Sequence, residues 1–264
     1  MIYLKNQEQI AGIKAAVGLW KTTITALKKL IVPNNTPLDL AKAAEQIVRA
    51  AGGKLVFQGY HGFPGALCVS VNEVGIHGIP DNTKFKPTDK VGVDLGISLN
   101  GYICDAGFSQ IVDPATNPEY QQLAEHTYQA LMAGISAAKA GNYTGDITTA
   151  ISQYVAENCP QYQILNDFCG HGCGIHLHED PSVLNKGLRP KTGTQLVSGM
   201  VLCIEPILTD QADGSYTIDQ KDKWSVRVKP RAKVCHWEHM VLILDNQTEV
   251  LTAFDAEETG GEVD

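Results

Sequence analysis

Apolar residues recur at three- and four-residue steps from about Glu8 to Leu30. Ile10, Ile13, Val17, Trp20, Ile24, Leu27 and Leu30 therefore share one face of a predicted amphipathic helix. A second helix is predicted to start at Thr36-Pro37-Leu38-Asp39, where a hydroxyl N-cap is followed by proline in the first turn and a carboxylate three residues after the cap. Gly52-Gly53 ends it. From Leu55 to Val112 the pattern changes to short β-type runs broken by Gly, Pro and Asn. Helical periodicity returns from about Glu119 to Ala140 and from about Asp146 to Asn158, and β-type runs then continue to about Thr252.

The order helix, helix, strands thus occurs twice, in pseudo-halves of about 1–113 and 118–252, without convincing identity between them. No low-complexity linker divides the two, which predicts one α+β domain over 1–252, followed by an acidic, frayed tail over 253–264. With 44% hydrophobic and 19% charged residues the chain is an ordinary globular protein, not a disordered one. A net charge of −8 with no Lys/Arg run argues against a nucleic-acid partner. Seven cysteines, with no Cys-x-x-Cys pair, point to free thiols in a reducing compartment. Lys14, Lys21 and Lys28 interrupt the N-terminal apolar runs, so no signal peptide is read, and no run reaches the roughly 18 apolar residues of a membrane span. The expectation is a cytoplasmic protein. No heptad or large apolar stripe demands a partner, which predicts a monomer.

The candidate chemistry begins with Asp94 and Asp105, which flank Asn100-Gly101, the strongest short hairpin signal. If Leu99 pairs with Tyr102, Asp94 lies opposite Gly107, and Asp105 falls on the same face as Asp94. Such diagonal neighbours sit ~7–8 Å apart, close enough to share cations. A solvated face of an edge hairpin would explain the pair equally well.

A second cluster, Phe168-Cys-Gly-His171-Gly-Cys-Gly-Ile-His176-Leu-His178-Glu179-Asp180-Pro181, packs three histidines among three glycines, and imidazole is a common metal ligand. Simple alternation would place His176 and His178 on one face and His171 on the other, unless the glycines bend the segment. Glu205 ends the apolar run Met200–Ile204, and Glu238 sits in the apolar stretch from Val234 to Leu244. A buried ionised glutamate costs several kcal/mol unless it is paired or metal-bound. Two Asp, two Glu and one His form an oxygen-rich set suited to hard or borderline divalent ions such as Mn, Fe(II), Co or Zn.

These residues, in this order, resemble the type I methionine aminopeptidases of the pita-bread fold. Asn72-Glu73-Val-Gly-Ile-His77-Gly78-Ile-Pro80 is similar to that family's segment bearing its first active-site histidine. Asp94, Asp105, His171, Glu205-Pro206 and Glu238-His239 match its metal-ligand positions. The resemblance implies a pseudo-two-fold antiparallel sheet with helices on its outer face. It also implies two divalent ions, with Asp94 chelating one, His171 and Glu205 the other, and Asp105 and Glu238 bridging. The implied activity is removal of the initiator methionine from nascent polypeptides with a small second residue, by attack of a metal-bound hydroxide on the first peptide bond.

In that scheme Glu205 shuttles the proton, His178 steadies the oxyanion and His77 contacts the scissile amide. The methionine pocket would lie along Tyr60, Phe63 and Cys68, with Trp224 across the cleft. Without the resemblance, His77 reads as a turn histidine and the aromatic residues as core.

His176, Leu177, Phe57 and Trp237 depart from the family pattern, which touches the pocket's shape and not the five ligands. Two rival readings remain. Proline-specific pita-bread peptidases share the metal set but generally carry an extra N-terminal domain, and non-enzymatic relatives lose ligands. A serine hydrolase lacks support, since no Gly-x-Ser-x-Gly occurs.

Overall fold

The computed structural model of the chain describes residues 1–254. Helix α1 spans Gln7–Lys28, with an Asn6/Gln9 capping box, and α2 spans Pro37–Ala50, where Thr36 and Asp39 cap each other as the sequence predicts. Five strands follow: β1 (Lys54–Leu55), β2 (Cys68–Val71), β3 (Val74–Ile76), β4 (Lys90–Leu99) and β5 (Tyr102–Ile111). The second round opens with α3 (Pro118–Ala137) and α4 (Thr144–Asn158). It continues through β6 (Gln163–Ile164), β7 (Cys169–Gly172), β8 (Glu179–Leu184), β9 (Val201–Ile204) and β10 (Ile207–Thr209). The last strands are β11 (Thr217–Ile218), β12 (Val226–Arg227), β13 (Val234–His236), β14 (His239–Ile243) and β15 (Thr248–Val250).

The β4–β5 hairpin turns through Asn100 and Gly101, both in the left-handed region with φ of 52° and 88°. That is what a two-residue hairpin turn requires, and it is why this pair of residue types marks one. Leu99 pairs with Tyr102 and Asp94 with Gly107, as the turn predicts. One face of the hairpin carries Val91, Val93, Leu95, Ile97, Cys104, Ala106 and Phe108 into a core shared with α1 and α2. Trp20 fixes α1 there, donating its indole N–H to the Leu95 carbonyl at 2.9 Å. The strand period of two leaves Asp94 and Asp105 on the opposite face.

The strands pair antiparallel throughout. β4 holds β1, β2 and β5, while β15, β14, β9, β7 and β8 form a second sheet in that order. A core from α3 and α4 packs on this second sheet. The two rounds are sewn together where β12 pairs with β3 and where Gly107 bridges Glu238. Trp237 packs against both cores.

Two residues of the expected tail, Ala253 and Phe254, are packed on the fold. Ala253 is buried and Phe254 packs against Trp20 and Phe108, because apolar side chains find a site on α1 before the acidic run starts. The rest of the expected tail, 255–264, lies outside the described residues. Among the described residues no helix is long and apolar enough to cross a membrane, and all seven cysteines are free.

Candidate active site

Five places along the chain deliver four acids and one histidine to a single site. Asp94 and Asp105 project from β4 and β5, His171 from β7, Glu205 follows β9 directly, and Glu238 lies between β13 and β14. Glu238 is held by its backbone, donating its N–H to the Gly107 carbonyl at 2.9 Å and accepting from the Gly107 N–H at 3.3 Å. His171 Nε2 stands 3.5 Å from Glu205 Oε1 and 3.9 Å from Asp105 Oδ2. One donor atom each from Asp105, His171 and Glu238 lie within 4.8 Å of one another.

Burial pushes Asp105 up to about 7. Burial, and then neighbouring Asp105, holds Asp94 well above the usual carboxylate range. Glu205 is raised by burial and then by Asp94 and Asp105, and Glu238 by burial and then by Asp105 and Glu205. His171 is lowered to about 4, chiefly by burial, so its ring is neutral at pH 7 and free to donate a lone pair. Asp94 Oδ1, Asp105 Oδ1 and Glu238 Oε1 are buried with no hydrogen-bond partner among the described residues. Unpaired buried carboxylate oxygens cost several kcal/mol each unless a cation answers them. Their convergence with one neutral imidazole fits a hard or borderline divalent metal. Cys203 lies among these donors, but burial holds its thiol well above its usual value and its Sγ donates to the Asp105 carbonyl at 3.7 Å. It backs the site as a thiol.

The histidine segment does not follow strand alternation. β7 ends at Gly172 and the chain bends through Gly174, whose φ of 121° is unfavourable for other residues. His178 is thereby returned to His171, with ring centroids 4.2 Å apart, while His176 meets Tyr3 edge to face at 5.3 Å. The glycines do bend the segment, the exception that the sequence left open: His171 and His178 meet, and His176 is the one that leaves. Tyr60 Oη lies 2.7 Å from His178 Nδ1. With the hydroxyl donating, the imidazole proton sits on Nε2.

A cavity of about 310 Å³ collects every residue expected in the site: Tyr60, Phe63, Cys68, His77, Asp94, Asp105, His171, His178, Glu205, Trp224 and Glu238. Phe63 and Trp224 meet edge to face at 5.3 Å. His77 follows β3 with φ 59°, and burial, then His178, lowers its ring to about 4. Cys68 pairs with Asp94 across β2 and β4, and burial followed by Asp94 raises its thiol well above the usual value, so it forms a wall and not a nucleophile. Phe57 and Leu177 also line the cavity, whereas Trp237 stands outside it.

Two neighbours escaped the sequence reading. Phe168 lines the cavity and packs on Tyr216, and the buried His236 places Nε2 4.0 Å from Glu205 Oε2. Phe168 opens the histidine-rich segment, where nothing marks it as a cavity residue rather than an ordinary aromatic one. His236 offered no signal beyond its place two residues before Glu238.

The family model described as metallopeptidase family M24 matches residues 11–245. A methionine aminopeptidase from Mycoplasmoides gallisepticum is 36% identical over 254 residues, covering 96% of this chain and 100% of that protein. The crystal structure of a methionine aminopeptidase from Rickettsia prowazekii superposes with a TM-score of 0.91 at 28% identity, covering 96% of this chain and 100% of the other. A prolidase from Pyrococcus furiosus shares the fold at a TM-score of 0.75 and 21% identity, and here 96% of this chain corresponds to 66% of the other.

Proposed function

The chain belongs to metallopeptidase family M24, and from that premise we propose that it removes the initiator methionine from nascent polypeptides whose second residue is small. The observation that carries this reading is the set of buried carboxylate oxygens without partners, on the floor of a cavity walled by Phe63, Trp224 and Cys68. A narrow, soft, apolar wall suits a flexible thioether.

Asp94, Asp105, His171, Glu205 and Glu238 would hold two divalent ions, drawn from Co, Mn, Fe(II) and Zn. When bound, the ions supply Lewis-acid polarisation of the peptide carbonyl and make water acidic enough to attack at neutral pH. The protein's own groups do the rest. Glu205 accepts a proton at a carboxylate oxygen and passes it on. His178, oriented by Tyr60, offers its Nε2 proton to the carbonyl oxygen as charge develops there. His77, neutral at pH 7, contacts the scissile amide and helps the departing amine gain its proton. Phe63 and Trp224 hold the first side chain and exclude water beside it.

The catalytic machinery is drawn from both rounds of the chain, so we take 1–254 to work as one catalytic unit. The test is hydrolysis of Met-Xaa tripeptides by metal-stripped protein reloaded with each candidate ion. Cleavage of Met-Gly-type peptides, with no cleavage of Xaa-Pro bonds behind other N-terminal residues, is expected. Equal rates on both would favour a proline-specific peptidase, and indifference to divalent ions would overturn the reading.

A further inference from the structure

The loop that carries His178 rests on a buried ion pair reaching 174 residues back along the chain. Lys5 Nζ and Glu179 Oε2 lie 2.5 Å apart, with side chains 1% and 0% exposed. The other oxygen of Glu179 accepts the backbone N–H groups of Ile175 and His176 at 2.7 and 2.9 Å. One carboxylate therefore fastens both the N-terminal segment and the bend that returns His178 to His171. Lys5 is itself fixed, donating its backbone N–H to the Gly199 carbonyl at 2.8 Å. The bend sits hard against this support: a Cβ on Gly174 would stand 2.6 Å from Ile13 and 3.3 Å from Lys5 Cε.

We propose that the Lys5–Glu179 pair is a clamp that positions His178 for catalysis, which makes Lys5 a positioning residue of the active site. A buried ion pair is poor evidence for added stability, since a well-packed apolar pair often does as well, so its value here lies in the geometry it imposes. Glu179 is bonded in sequence to His178, and its carboxylate is held by three donors. The imidazole is thereby left little freedom other than rotation towards Tyr60 and His171. Removing the ammonium leaves a buried carboxylate with only two amide partners, and the loop must shift to bring it to water. A displacement of about 1 Å in a catalytic group lowers turnover by up to about a hundredfold.

This inference rests on the proposed role of His178 at the oxyanion, and a mutant cycle separates the two. The metal-loaded full chain and its Lys5→Met, His178→Ala and doubly substituted forms are assayed on a Met-Gly-type tripeptide. Lys5→Met is expected to lower kcat about tenfold to a hundredfold, with KM and metal Kd within about twofold of the parent. In the His178→Ala background the same change is expected to cost less than about twofold, because the group it acts through is gone. Lys5→Arg, which keeps the charge, should recover most of the loss. If Lys5→Met does not fold, Glu179→Gln, which retains an oxygen for the two amides, is read in the same cycle. An equal loss in both backgrounds, or no loss in Lys5→Met while His178→Ala is slow, overturns the clamp. An unimpaired His178→Ala enzyme overturns the oxyanion role, and the clamp with it.

Discussion

Replacing Gly170 by alanine puts a methyl group where the fold has no room for one. A Cβ at this position would lie 2.1 Å from the carbonyl oxygen of Cys203, more than 1 Å inside the 3.4 Å at which ordinary contact begins. The obstacle is backbone of the neighbouring strand β9, so no side-chain rotation relieves it, and β7 and β9 must separate by about that amount. His171 follows Gly170 directly and Glu205 comes two residues after Cys203, so the strain falls on the His171–Glu205 approach, now 3.5 Å. Metal sites tolerate donor shifts of only about 0.2 Å. Gly170→Ala should therefore weaken divalent-metal binding by at least about tenfold and lower kcat/KM by about a hundredfold. Overpacking of this kind also costs roughly 3 kcal/mol, equivalent to about 6–12 °C in Tm for a chain of this size. Calorimetric metal titration, peptide kinetics and thermal unfolding read the three effects. Parent-like metal affinity together with parent-like kcat/KM would refute the geometry.

Asp105→Asn should abolish metal-dependent turnover, measured on Met-Gly-type peptides with saturating Mn or Co. The same substitution has a pH signature in metal-stripped protein. The folded Asp105 carboxyl is pushed up to about 7 from about 3.9 in the unfolded chain. The folded state therefore binds the extra proton between those values, and stability falls as pH rises through them. Urea unfolding should find the metal-free Asn variant the more stable of the two at pH 8 but not at pH 4; an advantage independent of pH would contradict the burial of this carboxyl. Trp224→Ala removes the edge-to-face partner of Phe63, and the loss of about 0.5–1.5 kcal/mol should lower kcat/KM for Met peptides about twofold to thirteenfold. Unchanged selectivity for methionine over norvaline and alanine would place the pocket elsewhere.

The parts of this site that can be read from sequence are those fixed by local rules. Asn100-Gly101 sets a two-residue turn, the turn sets the register, and the register puts Asp94 and Asp105 on one face. The Thr36/Asp39 cap of α2 was legible for the same reason, since both partners lie within one helical turn. The failures occur where a tertiary contact overrides the local rule. Alternation sends His178 away from His171, and the bend at Gly174, seated on Ile13 and Lys5, brings it back. Ala253 and Phe254 read as part of an acidic tail, yet Phe254 docks on Trp20. The Lys5–Glu179 pair joins residues with no common motif and leaves no mark in the linear pattern.

The seam between Gly107 and Glu238 means that neither sheet owns the face proposed to bind metal. Asp94 and Asp105 come from the early strands, while His171, Glu205 and Glu238 come from the late ones. A nascent chain that has completed only the β4–β5 hairpin presents two of the four acids and lacks His171, and a cation has little reason to stay. Occupancy of the proposed site would thus report finished assembly. Divalent ions that bind the native state alone would stabilise the whole fold by RT ln(1 + [L]/Kd). For this chain, gaining the proposed metal and resisting unfolding would be coupled.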